Sequence, residues 1–363
     1  MSKLEEILNK DDFQKEDIIY LLSLCKADEI EGLRQKAIEV LKTHIGSGIS
    51  LRGLIEFSNL CSCDCYYCGI RKSNSEIERY TLNRKSIFAS VREVAQKGFG
   101  SIVLQSGEMR SNYFTKFVTD CISEIKELTT NEYLPKGLGI TLCCGEQDDS
   151  TYKEWFDAGA HRYLLRIESS NEILFNRYHP PSQLHSNRLL SLKSLKSIGY
   201  QTGTGVIIGL PDQSVEDLAN DVIFFRDMDI DMIGMGPYIH HDNNLLSFYK
   251  ENWNNEKNNF FSMSLKMIAV ARIVLKDVNI ASTSALDAIN KDGRELGLNF
   301  GANVIMPLMT PNQVSGFYNL YDGKKIFDTI TSETLDFAEK MHKKYGRIVN
   351  FGKWGDAPHF YNR

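Results

Sequence analysis

The chain has 363 residues, of which 42% are hydrophobic and 25% charged, with a formal net charge of −5. These are the proportions of a folded globular protein, and they exclude a disordered or collagen-like chain. Lys and Arg are scattered under a negative net charge, which leaves no basic field for nucleic acid.

No apolar run reaches the roughly 18 residues of a membrane span. Met1–Lys10 mixes Lys with Glu and lacks the apolar core of an export signal. A cytoplasmic protein is expected. The first 48 residues predict a helical extension: Leu4, Ile7 and Leu8, then Ile18, Leu21 and Leu22, then Ile30, Leu33, Ala37, Val40 and Leu41 recur at helical spacing. From residue 49 to about 320, short apolar strands alternate with amphipathic helices. Strands are expected at 51–57, 101–105, 138–143, 161–166, 204–208, 230–236, 279–284 and 302–306. Helices are expected at 84–97, 112–128, 151–157, 186–197, 214–227, 262–275 and 288–297, and a last one at 331–345. Eight strands, each followed by a helix, predict an α/β fold, a (β/α)8 TIM barrel; residues 321–363 then form a C-terminal helix and tail packed on it. A doubly wound open sheet is the structural alternative.

Barrel enzymes carry their chemistry on the loops after the strands. The unusual residues of this chain gather there. A cysteine cluster follows the first strand, Gln105–Glu108 the second, Cys143–Glu146 the third and Arg166–Glu168 the fourth. Of eight cysteines, Cys61, Cys63, Cys65 and Cys68 fall together, and none follows Cys144. Such crowding without an export signal points to metal ligation over disulfides. Cys61, Cys65 and Cys68 spell C-x3-C-x2-C. Three thiolates on one short loop suit three irons of a [4Fe–4S] cube and leave the fourth iron open. Zinc and free thiols are the alternatives, although structural zinc usually draws on two separated knuckles. Cys63 is expected not to be a ligand.

Other sites carry plainer alternatives. Glu108 also fits a helix cap. Arg166 and Glu168, two apart on a strand, share a face; inside a barrel such charges are costly unless paired or functional. Arg188 lies in a helix pattern where most arginines are solvated. Thr283 and Ser284 also fit ordinary strand positions, and Met306 and Tyr318 also fit core packing. His240 and His241 are adjacent on an extended segment and point apart, so they make a poor metal pair.

C-x3-C-x2-C after a first barrel strand, with Tyr67 before the last cysteine, resembles the radical S-adenosylmethionine (SAM) superfamily. Ile55-Glu-Phe-Ser-Asn59, Cys68-Gly-Ile-Arg71, Val103-Leu-Gln-Ser-Gly-Glu108, Tyr163-Leu-Leu-Arg166, Gly209-Leu-Pro211, Gly234-Met-Gly-Pro237 and Gly301-Ala-Asn-Val-Ile-Met-Pro307 extend the resemblance to the HydE family of [FeFe]-hydrogenase maturases. Methylornithine synthase and biotin synthase are related families with fewer of these segments.

The resemblance implies an anaerobic enzyme in which the open iron of the cluster chelates SAM, and reductive cleavage gives a 5′-deoxyadenosyl radical. It implies that Ser106, Gly107 and Glu108 hold the SAM amino group, Glu168 its ribose and Arg188 its carboxylate, with Tyr67, Gln105, Thr141 and Cys143 also near the cofactor. It implies that Arg52, Arg166, Thr283, Ser284, Met306 and Tyr318 line the substrate space, with Gln105 and Thr141. The implied substrate is an iron–cysteine–dicarbonyl–cyanide species. The implied partners are the HydG and HydF maturases and a ferredoxin or flavodoxin reductant.

The chain departs from the family pattern at Cys143, where serine is expected, at Ile167, where histidine is expected, and at Met109-Arg110 in place of an acidic-proline pair. Lacking C-terminal cysteines, it is expected to hold one cluster. A radical SAM enzyme acting on a small amino acid and a non-catalytic iron–sulfur carrier are the competing readings.

Overall fold

A computed structural model describes residues 2–363. The strands run in chain order as β1 (Gly48–Ser58), β2 (Ser101–Ser106), β3 (Gly139–Cys143), β4 (Arg162–Leu164), β5 (Gln201–Thr204), β6 (Ile207–Ile208), β7 (Met232–Pro237), β8 (Asn279–Ser282), β9 (Val304–Ile305) and β10 (Ile348–Asn350). All pairings between them are parallel. The order is β1-β2-β3-β4-β5-β7-β8-β9. Ser50↔Val304 and Leu51↔Ile305 then pair β9 back to β1 and close the barrel.

The fifth expected strand is divided. β5 pairs with β4 and β7, then Gly205 and Val206 leave the ladder before β6 pairs with β7. A Cβ on Gly205 would stand 1.8 Å from the Gly234 carbonyl oxygen, so the crossing of these backbones admits only glycine. The fourth strand ends at Leu164, short of its apolar run, and Glu168 beyond it turns to a φ of +64°. Its N–H donates to the Gly205 carbonyl and its carbonyl accepts from Ile207, which locks that turn in place.

The outer helices follow their apolar spacing. Asn112–Thr129 buries Val118, Cys121, Ile122 and Ile125, and the Ser111 side chain caps its first turn. Two helices differ from expectation. Lys250–Leu275 begins a dozen residues early, because its first three turns are mostly polar, with Trp253 as the exception, and show no periodicity. The expected helix 288–297 is two, Ser284–Ile289 and Gly293–Asn299. Gly293 permits the break, since a Cβ there would lie 2.3 Å from the Leu286 carbonyl. The N-terminal segment forms three helices, Lys3–Leu8, Lys15–Leu22 and Ala27–His44, packed on the outside of the barrel.

The C-terminal tail seals the end opposite the strand tips. β10 adds to the start of β1, and the next residues cross beneath the barrel. Arg162, fully buried, donates to Asp356 Oδ1 at 2.5 Å and to the Trp354 carbonyl at 3.1 Å. His161 stacks on Trp354 with ring centres 4.4 Å apart and also contacts Asp356, at 3.0 Å. Burial, with Arg162 beside it, lowers the His161 pKa to about 3, and the Asp356 carboxylate does not reverse this. The folded protein therefore holds a neutral imidazole. The unfolded chain protonates it below about pH 6.5. Its contribution is whole above pH 6.5 and is lost as pH falls toward 3. Thermal melts are expected to show Tm falling as pH drops from 6.5 to 4.5. A His161→Phe variant keeps the stacking and is expected to have a shallower slope over that range; an identical slope would refute this origin.

Candidate active site

The loop after β1 carries the cysteines into the mouth of the barrel. Its shape is set by backbone bonds: Cys68 N–H to Cys65 carbonyl at 3.1 Å, Lys72 N–H to Cys63 carbonyl at 2.8 Å, and Gly69 N–H to Leu320 carbonyl at 2.9 Å. Arg79 clasps the same loop. Its guanidinium donates to the carbonyls of Asn59, Ile70, Arg71 and Asn74 at 2.6 to 3.1 Å. Nothing in the sequence pattern singled out Arg79. The segment after β2 lies against the loop, with Ser62 N–H bonded to the Glu108 carbonyl at 2.7 Å. Gly107 permits that approach, since a Cβ there would sit 2.2 Å from the Leu60 carbonyl.

These parts enclose a cavity of about 330 Å³. Its wall includes Cys61, Cys65 and Cys68, together with Tyr67, Gln105, Ser106, Gly107, Glu108, Cys143, Arg166, Glu168, Arg188, Thr283, Ser284, Met306 and Tyr318. Cys63 also faces it. Two expected residues do not. Arg52 and Thr141 stand lower in the barrel and line a void of about 20 Å³ that shares Leu164, Gly234 and Met306 with the chamber above it. Strand rise explains this: Arg52 precedes Glu56 by four residues, roughly 13 Å along β1. Arg52 donates to the Gly355 carbonyl at 2.9 Å, and the Thr141 hydroxyl accepts from Arg162 Nε at 2.9 Å. Both are therefore bonded within the lower layer of the barrel, one level beneath the chamber wall that was expected of them.

The electrostatics of the upper cavity divide into two groups. Around the thiols, burial dominates. It pushes the Cys68 thiol up to about 12 and Cys65 well above its usual range. The Cys63 N–H donates to the Cys61 sulfur at 3.4 Å, and the Cys63 thiol beside it lowers the Cys61 pKa. Buried thiols of this kind ionise when a cationic metal centre supplies the compensating charge. The donor set thus fits an iron–sulfur cluster, with Cys61, Cys65 and Cys68 as the residues to hold it.

The second group is a carboxylate–arginine network. Glu108 Oε2 accepts the Glu146 N–H at 2.8 Å, and Glu108 Oε1 accepts from Arg110 at 3.1 Å. Glu146 Oε1 accepts from Arg188 Nε at 2.6 Å. Burial works against the Arg188 guanidinium, but Glu146 outweighs it and keeps it charged. Glu168 stands apart. Arg166 Nη2 lies 3.0 Å from its Oε2 yet is aligned on the Val206 carbonyl, so this buried oxygen has charge contact without a hydrogen bond. Burial raises the Glu168 pKa despite both arginines. An unpartnered carboxylate oxygen on a left-handed backbone is strain of the kind found at ligand sites. It fits a ligand hydroxyl, as on a ribose. The remaining residues pair off: Tyr67 with His179 at 2.9 Å, Gln105 with Tyr318 at 3.3 Å, Ser284 with Tyr321 at 3.0 Å, and Thr283 with the Met235 carbonyl at 3.1 Å.

Residues 55–225 match the model of the radical SAM superfamily. Over 342 residues the chain is 39% identical to the [FeFe] hydrogenase maturase subunit HydE of Thermotoga maritima, covering 94% of this chain and 93% of that one. The chain belongs to the HydE family of the radical SAM superfamily. It is a radical SAM enzyme by descent and by fold. It is also 26% identical to 3-methylornithine synthase of Methanosarcina barkeri, over 84% of this chain and 82% of that one. The crystal structure of methylornithine synthase (PylB) overlays with a TM-score of 0.78 at 22% identity, covering 97% and 98% of the two chains. This radical SAM family implies a [4Fe–4S] cluster and SAM as cofactors. Among the described residues, no helix is long and apolar enough to cross a membrane.

Glu146 ends the Cys143–Glu146 stretch that was expected at the rim, but no role for it was legible in the sequence. It is the hinge of the network, binding Arg188 on one oxygen and Arg110 on the other. A Glu146→Gln variant keeps the shape and the N–H to Glu108 but leaves Arg188 without its counter-charge. SAM affinity is expected to fall about tenfold, or 1.4 kcal/mol, by isothermal titration. Unchanged affinity would separate the network from SAM binding.

Proposed function

We propose that this chain is a HydE-type maturase: a radical SAM enzyme that processes an iron–cysteine–dicarbonyl–cyanide precursor during assembly of the [FeFe]-hydrogenase active site. One observation carries the reading. The three thiols, the Ser106–Glu108 segment, Glu168 and Arg188 all open onto a single chamber inside a closed barrel. Relationship to a maturase over nearly the whole chain supports the choice of substrate.

Cys61, Cys65 and Cys68 would hold the cluster. Ser106, Gly107 and Glu108 would receive the SAM amino group, Glu168 its ribose hydroxyls and Arg188 its carboxylate, with Tyr67 and Cys143 alongside. Cluster and SAM together supply reductive cleavage of SAM to a 5′-deoxyadenosyl radical. The chain's own work is to orient and to exclude water. The carboxylate–arginine network fixes Arg188 before SAM arrives, so less ordering is needed on binding. The barrel wall separates reactive species from solvent and side reactions. Arg166, Gln105, Thr283, Ser284, Met306 and Tyr318 line the space left for substrate. HydG would supply the substrate, HydF would receive the product, and a ferredoxin or flavodoxin would deliver the electron.

The test is cell-free hydrogenase maturation with this protein, reconstituted anaerobically, in place of the HydE component. Hydrogenase activity and 5′-deoxyadenosine are read from one reaction. The parent is expected to give both and Cys65→Ser neither. Deoxyadenosine without active hydrogenase would reject the maturase substrate and favour a small amino acid. Loss of both signals with an intact cluster would reject the enzymatic reading.

A further inference from the structure

One charged pair in the chamber has no part in the roles above. Glu56 lies on the interior face of β1 and is 1% exposed. Its Oε2 accepts a hydrogen bond from Lys324 Nζ at 2.9 Å. Lys324 comes from the segment 317–324, which crosses the barrel mouth, and its side chain is 7% exposed. Both residues line the chamber. The Lys324 ammonium has three N–H donors and spends one on Glu56; it has no other hydrogen-bond partner among the described residues.

The covering segment does not need this pair to stay in place. It is already tied down by Gly69 N–H to the Leu320 carbonyl, Asp322 N–H to the His240 carbonyl, Asn59 to the Phe317 carbonyl, Tyr318 to Gln105 and Tyr321 to Ser284. A buried ion pair adds little stability over apolar residues of the same volume. Here it stands in the wall of a binding chamber, with an acid and a base side by side. That is the complement of a zwitterion: an α-amino acid carries its ammonium and carboxylate on one carbon, spaced to meet such a pair. Neutral hydrogen-bonding groups flank it, with Gln105 opposite Glu56 in the β1–β2 register and Tyr318 under the Lys324 ammonium, 5.5 Å from the ring centre. β1 is three strands from β4 in the barrel order, so the pair and Glu168 stand on different walls.

We propose that Glu56 and Lys324 form the subsite for the α-amino-acid headgroup of the substrate, Glu56 taking its ammonium and Lys324 its carboxylate. The proposal rests on the reading that this enzyme acts on a cysteine-bearing substrate, and it assigns the anchor of that cysteine.

The probes are S-methyl-L-cysteine, which carries both charges, 3-(methylthio)propionate, which lacks the ammonium, and 2-(methylthio)ethylamine, which lacks the carboxylate. Binding is measured by titration calorimetry on the reconstituted, SAM-loaded protein. The parent is expected to prefer S-methyl-L-cysteine to either fragment by about tenfold or more. Lys324→Met is expected to bind S-methyl-L-cysteine and 2-(methylthio)ethylamine alike. Glu56→Gln is expected to bind S-methyl-L-cysteine and 3-(methylthio)propionate alike. If a single variant fails to fold, Glu56→Gln with Lys324→Met removes both charges and strands neither; it is expected to lose the preference entirely. Equal binding of all three probes by the parent overturns the subsite. So does a uniform weakening of all three in both variants with a lowered Tm, which marks the pair as a latch. Deoxyadenosine formation by the parent is measured in parallel. Its absence rejects the underlying enzymatic reading, whereas its presence without probe preference rejects the subsite alone.

Discussion

Pairing of β9 with β1 is the constraint on which the site depends. It closes the sheet, so every strand tip points to one rim and every interior side chain faces the same axis. Residues as distant in sequence as Cys61, Glu168 and Met306 meet in one chamber for that reason alone. An open sheet with the same strands would spread them along an edge. Closure also makes the interior a low-dielectric space, in which each charge needs a partner or a ligand.

The interior charges are layered accordingly. At the lower end Arg162 is answered by Asp356 from the tail, and Arg52 is held by a tail carbonyl. At the rim Glu146 answers Arg188, and Lys324 answers Glu56. Glu168 keeps a buried oxygen without a hydrogen bond, despite the nearby Arg166. The tail is thus part of the barrel: it supplies the counter-charge that lets an arginine occupy the core.

Much of this was legible in the sequence. Arg166 and Glu168, two residues apart, were expected on one face inside the barrel, and both line the chamber. The cysteine spacing announced its loop, and the rim positions followed from the order of strands. What escaped had physical reasons. β10 is three residues long and carries no pattern. The first turns of Lys250–Leu275 carry one apolar side chain, Trp253, and so show no apolar period. Arg79 acts through backbone carbonyls, which no side-chain motif records. The height of Arg52 and Thr141 in the barrel depends on where each strand begins, and apolar runs define that poorly. Glu146 was in view but its partner, Arg188, is 42 residues away.

On the proposed function, three thiols of one loop hold a cube with an open iron facing the SAM-binding wall. The most direct measurement is electron paramagnetic resonance of the anaerobically reconstituted, reduced protein with and without SAM, alongside iron analysis. About four irons per chain, a single reduced [4Fe–4S] signal, and a change in that signal when SAM is added are expected. A Cys63→Ala variant is expected to keep the cluster, while Cys61→Ala, Cys65→Ala and Cys68→Ala each lose it. A cluster that requires Cys63, or a signal indifferent to SAM, would contradict this reading.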